Sequence, residues 1–253
     1  MKLGKLPVKH DPQGRTLRLE RYLDLARRPP LPADHRWSAA LTRPLGMLAN
    51  DVVGDCTVAT FGHAAQVWSA NNRREWRPSD ADVLAAYSAV SGYDPSQPQS
   101  DAGAALLDVL KYMRKVGLAG HRIGAFAQVD PQHQAMVTAA IYLFGGVAVG
   151  LNLPRTAQAQ VGTLWDVPWY GARWSGAPGS WGGHAVFGPD YARQPGPGFA
   201  TWGEWQLATW RFVRKYCDEC YAILAPDWVR PGRLAPSGFN LTALQADLAA
   251  VTG

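Results

Sequence analysis

Cysteine is scarce in this chain: Cys56, Cys217 and Cys220 are the three among 253 residues. Three thiols build no secreted disulfide framework, and the opening Met1-Lys2-Leu3-Gly4-Lys5-Leu6 has no apolar stretch of the kind a signal peptide needs. A reduced, cytoplasmic setting is expected. Long apolar runs are also missing, since the longest, residues 135 to 153, contains glycines and falls near or below the ~20 residues of a spanning helix. No membrane span is expected. Around Cys217-Asp218-Glu219-Cys220 there is neither a second C-x-x-C nor a nearby histidine, so the motif lacks the four ligands of a structural zinc site. No metal and no cofactor are expected, and the two thiols read as partly buried.

Charge is thin, at 18% of residues, and its imbalance is local. Residues 1 to 28 hold eight basic and three acidic side chains, which accounts for the whole net charge of +5 and leaves everything after Arg28 neutral. Nucleic acid is therefore not expected to bind the body, whereas the arm calls for an acidic neighbour, either a protein partner or an assembly contact. The arm ends in Arg27-Arg28-Pro29-Pro30-Leu31-Pro32, a proline run that marks a boundary: residues 1–31 as arm and linker, 32–253 as body. Leu17, Leu19, Tyr22, Leu23 and Leu25 suggest one short helix lying on the body or on a partner.

Within the body the periodicity changes once. Asp55 reads as an N-cap for a buried helix beginning at Cys56. Ser79 opens a second helix to about Val90, Asp101 caps a third over 104–116, and Asp130-Pro131 opens a fourth to about Phe144. After Gly145 come short apolar runs at 147–151, 184–187, 199–201 and 221–224, bounded by Gly, Pro and Asp, which read as strands. A helix at 241–251 closes the chain. The class is α+β, a helical lobe over 32–145 and an antiparallel, barrel-like sheet lobe over 146–253, with a cleft between them. Seven of the 11 tryptophans fall between 165 and 210. They read first as packing for the sheet lobe and the cleft rim, and second as a surface that stacks on sugars.

Cys56 is the first candidate for chemistry. A thiol in the first turn of a helix feels the partial positive charge of the N-terminus, which favours the thiolate, although a buried cysteine is also simply a small hydrophobe and the adjacent Asp55 carboxylate opposes ionisation. His63 lies seven residues along the same helix, ~10 Å away at 1.5 Å per residue, and reads as a packed histidine. His184 follows the Gly182-Gly183 pair at the start of a strand, where a ring can project into a cleft. A cysteine at a helix start followed far downstream by a histidine at a strand start is more specific than either alone.

These residues resemble motifs of the papain-like cysteine peptidases. Pro32-Ala33-Asp34-His35-Arg36-Trp37 is similar to that family's mature start, and Asn50-Asp51-Val52-Val53-Gly54-Asp55-Cys56-Thr57 to its nucleophile segment. Gly183-His184-Ala185-Val186 resembles its histidine segment, and Thr201-Trp202-Gly203-Glu204-Trp205 the Trp-Gly stretch that follows. The resemblance implies a papain-like two-lobe fold and a thiol hydrolase acting on a peptide or isopeptide bond through a Cys56/His184 dyad. It also implies Asn50 as oxyanion donor, Trp202 shielding the base, and Trp181 and Gly183 with Trp202 in substrate binding. Aligning Trp202-Gly203 on the family's Trp-Gly puts Ala200 where the family has its orienting Asn, so the third member is expected to be absent. The chain also resembles uncharacterised papain-like proteins of bacteria and phages. From that comes the alternative expectation, a catalytically weak or inactive binding or virion structural protein docking through its basic arm.

Overall fold

The computed structural model describes residues 1–11, 16–25 and 30–228. The helix expected at 241–251 lies outside the described residues. The four expected helices form α1 (Cys56–Asn71), α2 (Asp80–Ser91), α3 (Leu106–Lys115) and α4 (Gln134–Phe144). The caps follow the sequence less closely. Ser79 makes the expected capping box with Asp82, and Gly145 closes α4 in the left-handed region at φ 73°. Asp55, by contrast, makes no side-chain cap, α3 begins at Leu106 after Ala105, and α4 begins at Gln134 after His133. Asp101 is drawn away from its helix by two better donors, the backbone N–H of Gly54 at 2.9 Å and the hydroxyl of Tyr87 at 2.7 Å.

Helix α1 is buried from Cys56 through Ser69. A helix apolar on every side belongs in the middle of a protein, and α1 packs on the sheet through β5 (Gly182–Tyr191). Trp68 meets Phe187 there edge to face at 5.5 Å. The remaining strands are β1 (His35–Arg36), β2 (Ala125–Gln128), β3 (Val147–Leu153), β4 (Leu164–Trp165), β6 (Pro197–Thr201), β7 (Glu204–Ala208) and β8 (Cys217–Leu224). Their order is β2-β8-β3-β5-β6-β7-β4, with β1 added to β5. Pairing is antiparallel except between β4 and β7. The sheet stays open, with β2 and β4 at its ends, so the barrel-like closure expected from the sequence is not formed.

A short helix α5 (Trp210–Tyr216), capped by Thr209, precedes β8 and was not legible in the sequence. Its Phe212 stacks on Trp165 at 5.4 Å, and Trp165, Trp202 and Trp210 are all buried, in line with a packing role for the tryptophan-rich segment. Trp169 and Trp174 are exposed. The short helix expected in the arm is a single 3-10 turn, Leu19–Arg21, whose Leu19 packs into the main core together with Leu23.

Candidate active site

Two elements meet at the site. The first turn of α1 carries Cys56, and the start of β5 carries His184; both are buried. The backbone N–H of Ala185 donates to the Cys56 sulfur at 3.4 Å, which ties the start of α1 to the start of β5. His184 Nε2 lies 2.6 Å from Thr201 Oγ1, and its Nδ1 is a buried nitrogen with no hydrogen-bond partner among the described residues. Trp202 stacks on the imidazole, with centroids 4.1 Å apart and planes 14° apart. Trp181 in turn tilts against Trp202 at 5.6 Å.

The contact to the imidazole edge that Ala200 cannot make is made by Thr201. Alternate strand residues face opposite sides of a sheet, so Ala200 and Thr201 point apart at the end of β6. Ala200 is paired with Phe187, and the next side chain carries its hydroxyl to the imidazole. A carboxamide oxygen only accepts, whereas a hydroxyl both donates and accepts, so Thr201 serves either tautomer of His184. The turn after β6 sets the ring on top. Trp202 and Gly203 both have positive φ, 47° and 75°, the left-handed pair of a tight hairpin turn.

Asn50 is buried, and its Nδ2 donates to Val53 O at 3.1 Å. Asp55 is fully buried, and burial pushes its carboxyl up to about 8, which leaves it neutral at pH 7. Asp55 still adds to the rise of the Cys56 thiol, as a smaller cause than burial. His63 is packed as expected, its Nε2 2.9 Å from Gly46 O. Cys217 and Cys220 are buried free thiols.

The cleft holds the protein's own N-terminal arm. Lys2 N donates to Asn50 O at 2.8 Å, and Trp202 Nε1 donates to Lys2 O at 3.1 Å. Beyond the cysteine, Ala104 N donates to Gly4 O at 2.8 Å, Lys5 N to Gly183 O at 3.1 Å, and Leu6 N to Ala104 O at 3.0 Å. Glycines let the two backbones touch: a Cβ on Gly4 would lie 1.6 Å from Gly54 O, and one on Gly183 would lie 2.1 Å from Lys5 O. The arm's acidic neighbours are in the same chain, Asp218 and Glu219 for Lys5 and Asp108 for Lys9. Covered in this way, Cys56 and His184 are held in their neutral forms. Burial raises the Cys56 thiol to about 12, against the smaller opposing pull of the Ala185 and Gly4 backbone N–H groups, and burial lowers His184 to about 3.

No family model matches the sequence, and no curated protein is similar enough to match it. Solved structures do match. Xylellain, a cysteine protease from Xylella fastidiosa, aligns over 88% of this chain and 96% of its own, with a TM-score of 0.66 at 15% identity. The fold is papain-like. Procathepsin B from Trypanosoma congolense aligns over 88% of this chain and 86% of its own, with a TM-score of 0.60 at 12% identity. The protease and lectin-like domains of Cwp84 from Clostridium difficile align over 89% of this chain and 56% of that one, with a TM-score of 0.57 at 12% identity.

Proposed function

We propose that this protein is a thiol hydrolase that cleaves a peptide or isopeptide bond through Cys56 and His184, and that residues 2–6 keep it closed until they are displaced. The observation that supports it best is the state of His184. Its imidazole is gripped on the edge by Thr201 and on the face by Trp202, and it directly precedes the Ala185 N–H that meets the Cys56 sulfur. A histidine held only for packing has no need of a hydroxyl on one nitrogen and a vacant second nitrogen.

With the arm displaced, water and substrate dipoles reach the thiol, and the helix N-terminus favours the thiolate beside a protonated imidazole. The thiolate attacks the amide carbon, forming a C–S bond while the carbonyl oxygen takes the charge. The Cys56 backbone N–H and the Asn50 carboxamide donate to that oxygen, His184 gives its proton to the leaving amine, and water activated by His184 then hydrolyses the thioester. Trp202 keeps solvent from the face of the base throughout.

Alkylation of Cys56 by iodoacetamide tests both halves. In the wild-type chain, labelling at pH 6 is expected to be slow. Gly4→Val cannot seat against Gly54 and should speed it at least ten-fold, and adding His184→Ala should remove the gain. Labelling of Gly4→Val at the wild-type rate, or undiminished labelling after loss of His184, would overturn the reading.

A further inference from the structure

Lys5 points into a closed pocket. Its side chain has no exposed surface, and its Nζ is 2.9 Å from Asp218 Oδ2, 3.3 Å from Glu219 Oε1 and 3.2 Å from Leu6 O. Glu219 is itself buried and braced by the Tyr221 hydroxyl at 3.1 Å.

Two neighbouring strand residues should not converge on one ammonium, because consecutive side chains leave opposite faces of a sheet. They do so here through a bulge. Opposite β3, Gly150 pairs with Glu219 and Leu151 with Cys217, so Asp218 is the extra residue in β8, and the local bend brings its carboxylate round to the side of Glu219. The facing position must also be empty: a Cβ on Gly150 would lie 2.3 Å from Lys5 Cε and 2.5 Å from Glu219 Cγ. A bulge, a glycine and two carboxylates thus make a slot as long as a lysine side chain. The residue that fills it follows directly on Gly4, which lies over the catalytic cysteine, and its backbone N–H is held by Gly183, the neighbour of His184.

We propose that this slot is the specificity pocket of the hydrolase, selecting a lysine side chain in the substrate, and that Lys5 holds the cleft shut by imitating that lysine. The inference rests on the hydrolase reading for the word substrate, but the binding preference can be measured without turnover. The pair carries two carboxylates for one ammonium, so an arriving lysine meets a pocket with a surplus of acceptor oxygens. An apolar side chain of the same length would leave the buried Glu219 and the partly buried Asp218 without a counter-charge.

The test uses the full chain and reads Cys56 alkylation. Lys5→Met fills the slot with an uncharged chain and should label at least ten-fold faster than wild type; an unchanged rate would show that the slot gives lysine nothing over methionine and would overturn the proposal. On that variant, acetyl-Leu-Gly-Lys-Leu-amide should protect Cys56 at a concentration at least ten-fold lower than the peptide with norleucine in place of lysine. Adding Asp218→Asn with Glu219→Gln should abolish the difference. Equal protection by the two peptides, or no protection by either, would overturn the pocket. Lysine-selective protection without any cleavage of the peptide would leave the pocket standing and sink the hydrolase reading instead.

Discussion

The imidazole of His184 has Trp202 on its face and Thr201 on its edge, and these contacts divide the tasks of excluding water and fixing the ring. A buried hydrogen bond of this kind contributes on the order of 1 kcal/mol. Thr201→Val keeps the shape and removes the hydroxyl, so kcat on a cleaved peptide should fall about five- to ten-fold, whereas Thr201→Ser should retain most of it. A serine variant as slow as the valine one would show that the methyl group, not the hydroxyl, is what His184 needs. Thr201 could have been found in the sequence only by its position. It stands directly before Trp202-Gly203, on the opposite face of its strand from Ala200, and residue type alone does not show which of the two reaches the histidine.

Among the elements, the arm is tied into the body. Leu19 and Leu23 lie there, one of the two places expected for that segment, and belong to the central core, while Lys5, whose charge called for an acidic neighbour, meets Asp218 and Glu219 of its own chain. Leu19→Ala should therefore destabilise the whole chain by about 2–5 kcal/mol, as a core leucine does, measured by urea unfolding. An unchanged midpoint would return the arm to the status of a tail. The helices were legible because α1 to α4 carry apolar residues at helical spacing with turn residues near their ends. Their exact starts were not, because Asp55 and Asp101 look like caps in sequence, while the buried side chain of the first makes no bond to its helix end and the second braces Gly54 and Tyr87. The strand at 125–128 and helix α5 were not legible because four and seven residues span only about two periods of their patterns, too few to stand out from the sequence around them.

At the scale of the molecule, buried titratable groups give stability a defined pH dependence. His184 and His63 are held near 3 and 4 by burial, below the ordinary 6.5, so their contribution is full above about 6.5 and is lost as pH falls towards 3. Asp55 is raised to about 8 from an ordinary 3.8, so its contribution is full below about 4 and is lost as pH rises through 8. With two histidines against one aspartate, these groups place the maximum near pH 6.5, with a decline on both sides. In Asp55→Asn the decline between pH 6.5 and 8 should flatten while the acid limb stays, as read by thermal unfolding across pH. An alkaline limb that persists in this variant would assign it to another group.

The sequence by itself determined that Cys56 opens a helix and that His184 lies at the beginning of a strand, because periodicity and apolar runs are local. That was enough to choose Cys56 and His184 and to expect two lobes. It also located the basic charge in residues 1–28, but not what that charge touches, since Lys5 meets Asp218 across more than two hundred residues of chain. Only the tertiary structure decided that β6 turns Thr201 rather than Ala200 towards the imidazole, that a bulge in β8 brings Asp218 beside Glu219, and that the arm lies in the cleft. Each of these depends on strand register or on contacts distant in sequence, where packing of the whole chain, not local pattern, selects the partner.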